Sequence, residues 1–363
     1  MARTERDQVS LDHLNQMQRY LGEETIEEYQ AGVLTRRQML RRLLQICGSG
    51  AAVAALLAAC GDSTAAPTAA PPTTVPPTPA PPTAAPAAAT QPAPTQAAPT
   101  QPPAAATVVA TSAPQPTAGA AASPLSVPPD DPAVQASEVT FQGDTTIFGY
   151  LARPAAEGTY PGVIVIHENR GLNDHIRDVA RRLAKAGYVA LAPDLASRAG
   201  GTAQVGGQIQ GYFANANPDE LVRDLNAAVD FLGQQPGVQA GKYGVVGFCF
   251  GGAYTLRLAA ANSNIAAAVC YYGVTPEPAS QMSATNAAIL GQYGGNDARV
   301  NATIPALEQV MQASGKIFEK RIYEGANHAF NNDTGQNYNE QAAVAAWQET
   351  LAWFETYLKG NAG

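Results

Sequence analysis

Gly247-Phe248-Cys249-Phe250-Gly251-Gly252 follows the apolar run 242–246 and leads into a helix-like segment that starts at Ala253. Cys249 is flanked by glycine at both two-residue offsets, between a buried strand and a helix. That is the pattern of a nucleophile elbow, a turn so sharp that a Cβ at either flank would collide with neighbouring backbone. A Gly-rich turn around an inert buried cysteine would carry the same residues. The rest of the chain has to separate the two readings.

Working outward, residues 138–363 alternate strand and helix signals. Residues 139–143 and 146–152 read as a hairpin, and 162–166 as a strand buried on both faces. Residues 173–186 have helical spacing, with Ile176, Val179, Ala180 and Leu183 on one side. A short strand at 188–191 is stopped by Pro193. Asn217-Pro218-Asp219-Glu220 then offers an N-cap, a proline at the first helical position and acids in the first turn of a helix to about 232. Strands at 242–247, 265–271, 288–293 and 317–323 follow, with helices at 304–313 and 341–358. This order predicts a single α/β domain: a mostly parallel sheet with helices on both faces and chemistry at the C-terminal strand ends.

A cysteine nucleophile needs a base, because an ordinary thiol is only a few per cent ionised at neutral pH. In the order nucleophile, acid, histidine, the chain allows one candidate for the last role. Of His13, His167, His175 and His328, only His328 follows the elbow. Between Cys249 and His328 the one aspartate is Asp297, in Gly294-Gly295-Asn296-Asp297, with Glu277 as a weaker alternative acid. His328 would take the thiol proton and Asp297 would hold its tautomer. An oxyanion hole needs two N–H donors, one from Phe250 at the start of the following helix and one from the loop 167–171.

These residues resemble the dienelactone hydrolase (carboxymethylenebutenolidase) family of α/β-hydrolases, which use a Cys-His-Asp triad. The resemblance rests on His167-Glu168-Asn169-Arg170-Gly171-Leu172, Ala192-Pro193-Asp194-Leu195, the elbow itself, Tyr271-Tyr272-Gly273, Asn296-Asp297 and Gly325-Ala326-Asn327-His328-Ala329-Phe330. It implies that Glu168 contacts the resting thiol and helps to activate it, and that the Asn169 N–H is the second oxyanion donor. It also implies two arginines for a substrate carboxylate. Arg198 matches the first, but the second position holds Asn332, with Arg170 as a nearby substitute. The expected activity is therefore hydrolysis of a small-molecule ester or lactone through a thioester at Cys249. The alternatives are a broader carboxylesterase or thioesterase and a non-catalytic surface lipoprotein that keeps the fold. No metal or organic cofactor is implied.

The chain ahead of this domain has another character. Residues 1–34 are polar and mixed in charge and read as a solvated helix without a functional assignment. Arg36 and Arg37 precede an uncharged apolar run, 43–59, that ends Leu57-Ala58-Ala59-Cys60. Basic residues, a moderate apolar run and small residues before a cysteine make an export signal of twin-arginine type, with cleavage before Cys60 and lipidation of that cysteine. An uncleaved signal anchor is the alternative, since ~17 apolar residues just suffice to span a bilayer. Either way the domain is expected outside the cytoplasm, tethered to a membrane. Residues 1–61 form this leader region and 62–137 a disordered linker of Pro, Ala and Thr, able to reach up to roughly 200 Å as an extended stalk.

The whole chain carries a net charge of −8. From residue 138 there are 15 Lys and Arg against 20 Asp and Glu, a net of −5 with no basic stripe, which argues against a nucleic-acid partner. Cys270 reads as an inert core residue and Cys47 as part of the leader.

Overall fold

A computed structural model describes residues 14–59 and 123–360. Three helices come first: α1 (Gln16–Gln30), α2 (Arg36–Cys47) and α3 (Gly50–Ala59). The hairpin β1 (Val134–Gln142) and β2 (Thr146–Pro154) follows, then β3 (Tyr160–Ile166), α4 (Asp174–Lys185) and β4 (Val189–Pro193). Two short helices, α5 (Thr202–Val205) and α6 (Ile209–Asn215), precede α7 (Pro218–Gly233). The remainder runs β5 (Val238–Phe248), α8 (Phe250–Ala261), β6 (Ile265–Tyr271), β7 (Ala288–Gly294), α9 (Ala298–Asn301), α10 (Ile304–Ala313), β8 (Phe318–Tyr323) and α11 (Glu340–Phe354).

The eight strands form one sheet in the order β1-β2-β4-β3-β5-β6-β7-β8. Pairings β1·β2 and β2·β4 are antiparallel and the other five are parallel. The central strands are apolar towards their C-terminal ends because helices cover both faces there: Val163 to Ile166 on β3 and Val245 and Val246 on β5 are fully buried. The capping signals also operate as expected, since Asn217 Oδ1 accepts from the Asp219 N–H with Pro218 next in line. The domain starts earlier than residue 138. Val127 is buried, its N–H donates to Asp178 at 2.7 Å, and β1 begins at Val134. The short helices between 197 and 215 carry no long periodic signal and are absent from the sequence reading.

The N-terminal segment departs most from expectation. Helix α1 is not a solvated helix, because Met17, Tyr20, Leu21 and Ile26 are buried. Its start is tied to the domain: Asn15 Nδ2 donates to Ala214 O at 3.1 Å and Gln16 Nε2 to Thr275 O at 2.7 Å. The apolar run 43–59 is not one continuous helix either. Gly48 ends α2 in the left-handed region (φ 73°), where glycine pays no Cβ penalty, and α3 leaves at 113° to α2. No single described helix is long and apolar enough to cross a membrane, while this bent pair passes by length and composition together. Met39, Leu43, Ile46 and Leu56 are fully buried. The cleavage point before Cys60 and residues 62–122 of the expected linker lie outside the described residues, while 123–137 lie within them.

A buried ionic network fixes the loop after β8. Asp333 accepts from His175 Nδ1 at 2.9 Å and from Arg182 at 2.5 Å, and Arg182 also bonds Asp178 on α4. Burial opposes the charge on Asp333, but His175 and Arg182 outweigh it and hold its pKa down at about 2. Because the folded value lies below the ordinary ~3.9, the stabilisation is complete above pH ~4 and is lost as pH falls towards 2. Asp333→Asn should therefore cost about 2 kcal/mol at pH 7 and flatten the loss of stability between pH 4 and 2, as measured by urea unfolding.

Candidate functional site

Strands β3, β5, β6, β7 and β8 lie side by side and parallel, so the segments leaving their C-terminal ends meet above the middle of the sheet. The loop after β3 brings Glu168 and Asn169, the elbow after β5 brings Cys249, and β6 is followed by Tyr272. The turn after β7 brings Asp297 and the loop after β8 brings His328.

Cys249 sits at φ 56° and ψ −118°, backbone that an L-residue adopts only under constraint. The constraint is crowding. A Cβ on Gly247 would lie 2.2 Å from Gly251 O, and one on Gly251 would lie 2.4 Å from Ile166 O. The helix thus starts in contact with the two central strands, which only glycine permits. The Cys249 N–H donates to Tyr271 O at 3.0 Å. Among the described residues the non-glycine positive φ values are those of Cys249, Tyr272 and Ala329, all at this site.

His328 Nδ1 donates to Asp297 Oδ2 at 2.6 Å. Burial works against the imidazolium, but the Asp297 carboxylate overrides it and raises the His328 pKa well above the usual range. Burial likewise opposes charge on Asp297, and His328 outweighs it, so Asp297 is held below the ordinary carboxylate range. Asp297 also caps α9 by accepting from the Val300 N–H at 3.3 Å. Burial pushes the Cys249 thiol upward, Glu24 pushes it further, and His328 pulls against both. Among the described residues, the Phe250 and Asn169 backbone N–H groups have no hydrogen-bond acceptor.

Glu168 is buried and held by two neighbours. Asn332 Nδ2 donates to its Oε2 at 2.7 Å, and the Tyr272 hydroxyl lies 3.4 Å from its Oε1. At the position of the family's second arginine, Asn332 therefore meets a protein carboxylate. Arg198 requires a correction: it does not line the cavity. Its guanidinium grips Asp224 at 2.8 and 2.9 Å and reaches Asp144 at 3.3 Å, so its charge is spent on the neighbouring helix α7. The arginine that does reach the cavity is Arg170, which pairs with Glu28 at 3.3 Å.

Sequence reasoning missed Tyr20 and Glu24. The Tyr20 hydroxyl lies 3.2 Å from Cys249 Sγ and 3.4 Å from His328 Nε2. Glu24 stands one helical turn further on. Its carboxylate is 3.7 and 3.8 Å from Sγ and 3.9 Å from His328 Nε2, and it accepts from Asn169 Nδ2 at 2.8 Å. The i, i+4 spacing puts both on one face of α1, but nothing in it says what that face covers. The cavity beside Cys249 has a volume of about 500 Å³, and Glu24, Glu27 and Glu28 form one wall. Cys249 Sγ, a His328 ring nitrogen and a Glu24 oxygen lie within 4.8 Å of one another, a donor set that zinc accepts.

Residues 147–358 match the model of the Dienelactone hydrolase family. A carboxymethylenebutenolidase-type protein of Methylorubrum extorquens is 33% identical over 270 residues, covering 71% of this chain and 87% of its own. A lactonase-type protein of Bradyrhizobium, named for 2-oxo-3-(5-oxofuran-2-ylidene)propanoate, is 35% identical over 232 residues, covering 58% and 90%. A dienelactone hydrolase-type crystal structure from Klebsiella pneumoniae superposes with a TM-score of 0.58 at 32% identity, covering 62% of this chain and all of that one. The α/β-hydrolase fold read from the sequence is borne out.

The hold on Glu168 can be tested without reference to activity. Asn332→Ala removes a hydrogen bond to a buried carboxylate, and we expect a loss of about 1.5–3 kcal/mol in denaturant unfolding. Asn332→Gln should recover part of it.

Proposed function

Because the chain belongs to the dienelactone hydrolase family, and so is a hydrolase acting on ester or lactone bonds, we propose that it does so with Cys249 as nucleophile, His328 as general base and Asp297 as its orienting acid. The observation that carries this reading is the 2.6 Å bond from His328 Nδ1 to Asp297, with the opposite ring nitrogen turned towards the Cys249 side of the cavity. His328 Nε2 takes the thiol proton as Sγ attacks the carbonyl carbon. The carbonyl oxygen becomes an oxyanion that the unpartnered Phe250 and Asn169 N–H groups receive. Collapse breaks the carbon–oxygen bond to the leaving group, the imidazolium returns its proton to that alkoxide, and a thioester remains on Cys249. A water molecule, deprotonated by His328, then attacks the thioester and releases the carboxylic acid and the thiol. In this scheme Glu168, the thiol-activating carboxylate of the family, is engaged by Asn332 and Tyr272 in the resting site.

A broader range of esters or thioesters is favoured over a small anionic lactone. Asn332 is engaged with Glu168 and Arg198 with Asp224, so neither position of the family's arginine pair is free to receive a substrate carboxylate.

Purified protein should hydrolyse p-nitrophenyl esters. Cys249→Ala is expected to abolish the activity, and His328→Ala to lower kcat/KM by about 10²–10⁴. If wild type and both variants share one background rate, the assignment is wrong. Export is proposed on the sequence pattern at Arg36, Arg37 and Cys60 alone. An intact mass that starts at a lipidated Cys60, lost in Cys60→Ala, is the expected result.

A further inference from the structure

We propose that residues 14–59 are a masking segment that keeps the hydrolase latent, with helix α1 lying in the place the substrate must take. The proposal rests on the hydrolytic reading above and names its regulation.

The two groups closest to the nucleophile's open side both come from α1. An acyl carbon has to approach Sγ to about 3–3.5 Å before reaction. The Tyr20 hydroxyl is already 3.2 Å from Sγ and lies 3.4 Å from His328 Nε2, so it crowds both the thiol and the nitrogen that should receive its proton. Tyr20 is nearly fully buried, with its ring under the Arg299 guanidinium at 4.4 Å, so it is wedged rather than draped across the site. Glu24 fills the adjoining position, within 3.8 Å of Sγ, and sets a second carboxylate beside a group that must become a thiolate. It also occupies the Asn169 amide side chain.

The remaining contacts read as a docking interface built for this helix. Glu27 pairs with Arg299 at 3.1 Å, Glu28 with Arg170 at 3.3 Å, and Arg19 with Glu277 at 2.6 Å. Gln16 Oε1 accepts from Arg257 and from the Glu277 N–H. The buried side chains of α2 and α3 hold the assembly from behind, where Gln45 lies close against Gly211 of α6. A carboxylate row on α1 thus pairs with the exposed Arg170 and covers Arg299, while Tyr20 and Glu24 cover the nucleophile. The sequence supplies a point for parting the segment from the domain, the Ala59-Cys60 junction. A chain exported by the twin-arginine route folds before it leaves the cytoplasm, so masking until that cut would withhold the activity until arrival.

The test uses the full chain. Arg19 and Glu277 are tied to each other and to no catalytic group, so Arg19→Glu and Glu277→Arg should each loosen α1, and the two together should restore the pair. Each single change should raise kcat/KM for p-nitrophenyl acetate, and the rate of iodoacetamide labelling of Cys249 followed by peptide mass spectrometry, threefold or more. The double change should bring both back towards wild type. Tyr20→Ala/Glu24→Ala should raise both tenfold or more. Unchanged labelling and hydrolysis in all of these variants would overturn the proposal. So would a fall in hydrolysis in Tyr20→Ala/Glu24→Ala with labelling intact, which would make α1 a working wall of the site. Faster labelling with no hydrolysis in any variant would uphold the mask and remove the ester-hydrolase reading instead.

Discussion

The tight meeting of backbone at the elbow is the constraint from which the site follows. Cys249 keeps φ 56° only because Gly247 and Gly251 let the first turn of α8 touch the ends of β3 and β5. That contact sets the height of Sγ above the sheet and leaves the Phe250 N–H, at a helix start, without an acceptor among the described residues. Strain of this kind costs about 1–3 kcal/mol and persists only where the surroundings over-determine it. Here the surroundings are the apolar, buried C-terminal halves of β3, β5 and β6.

Charge is arranged around this point in two layers. Nearest the sheet, each acid has a dedicated partner: Asp297 has His328, Glu168 has Asn332, and Asp333 has His175 and Arg182. These pairs fix the loop that presents His328. Above them, the glutamates of α1 meet Arg170 and Arg299 and bring carboxylates to the mouth of the cavity. In the proposed scheme the inner layer holds an imidazole ready to accept a proton, and the outer layer sets carboxylates against the thiolate that would result. Such a charge arrangement is what the proposed latency requires.

The position of α1 also changes how the N-terminal region is understood. The pattern read as an export signal in the sequence and the packed helices of the fold belong to the same residues. Met39, Leu43, Ile46 and Leu56 form an apolar stretch in the sequence, and in the fold they bury that surface against α1 and α6. An apolar surface of this kind leaves water only by packing against something. The bend at Gly48 lets it do so on the domain itself.

By itself the sequence determined the alternation of strands and helices, the elbow at Cys249 and the order that leaves Asp297 and His328 as its partners. These are local or ordinal properties: periodicity, glycine spacing and chain order survive without knowledge of which surfaces meet. Helices 304–313 and 218–233 were legible for the same reason, each with its own cap or proline. Only the tertiary structure decided what Arg198, Asn332, Tyr20 and Glu24 touch. Arg198 turned to Asp224, Asn332 to Glu168, and Tyr20 reached a cysteine 229 positions away. A side chain's partner is chosen by which surfaces the fold brings together, and contacts across such separations leave no periodic trace in the chain. The residues of the strand ends could therefore be named from the sequence, while the helix that covers them could not.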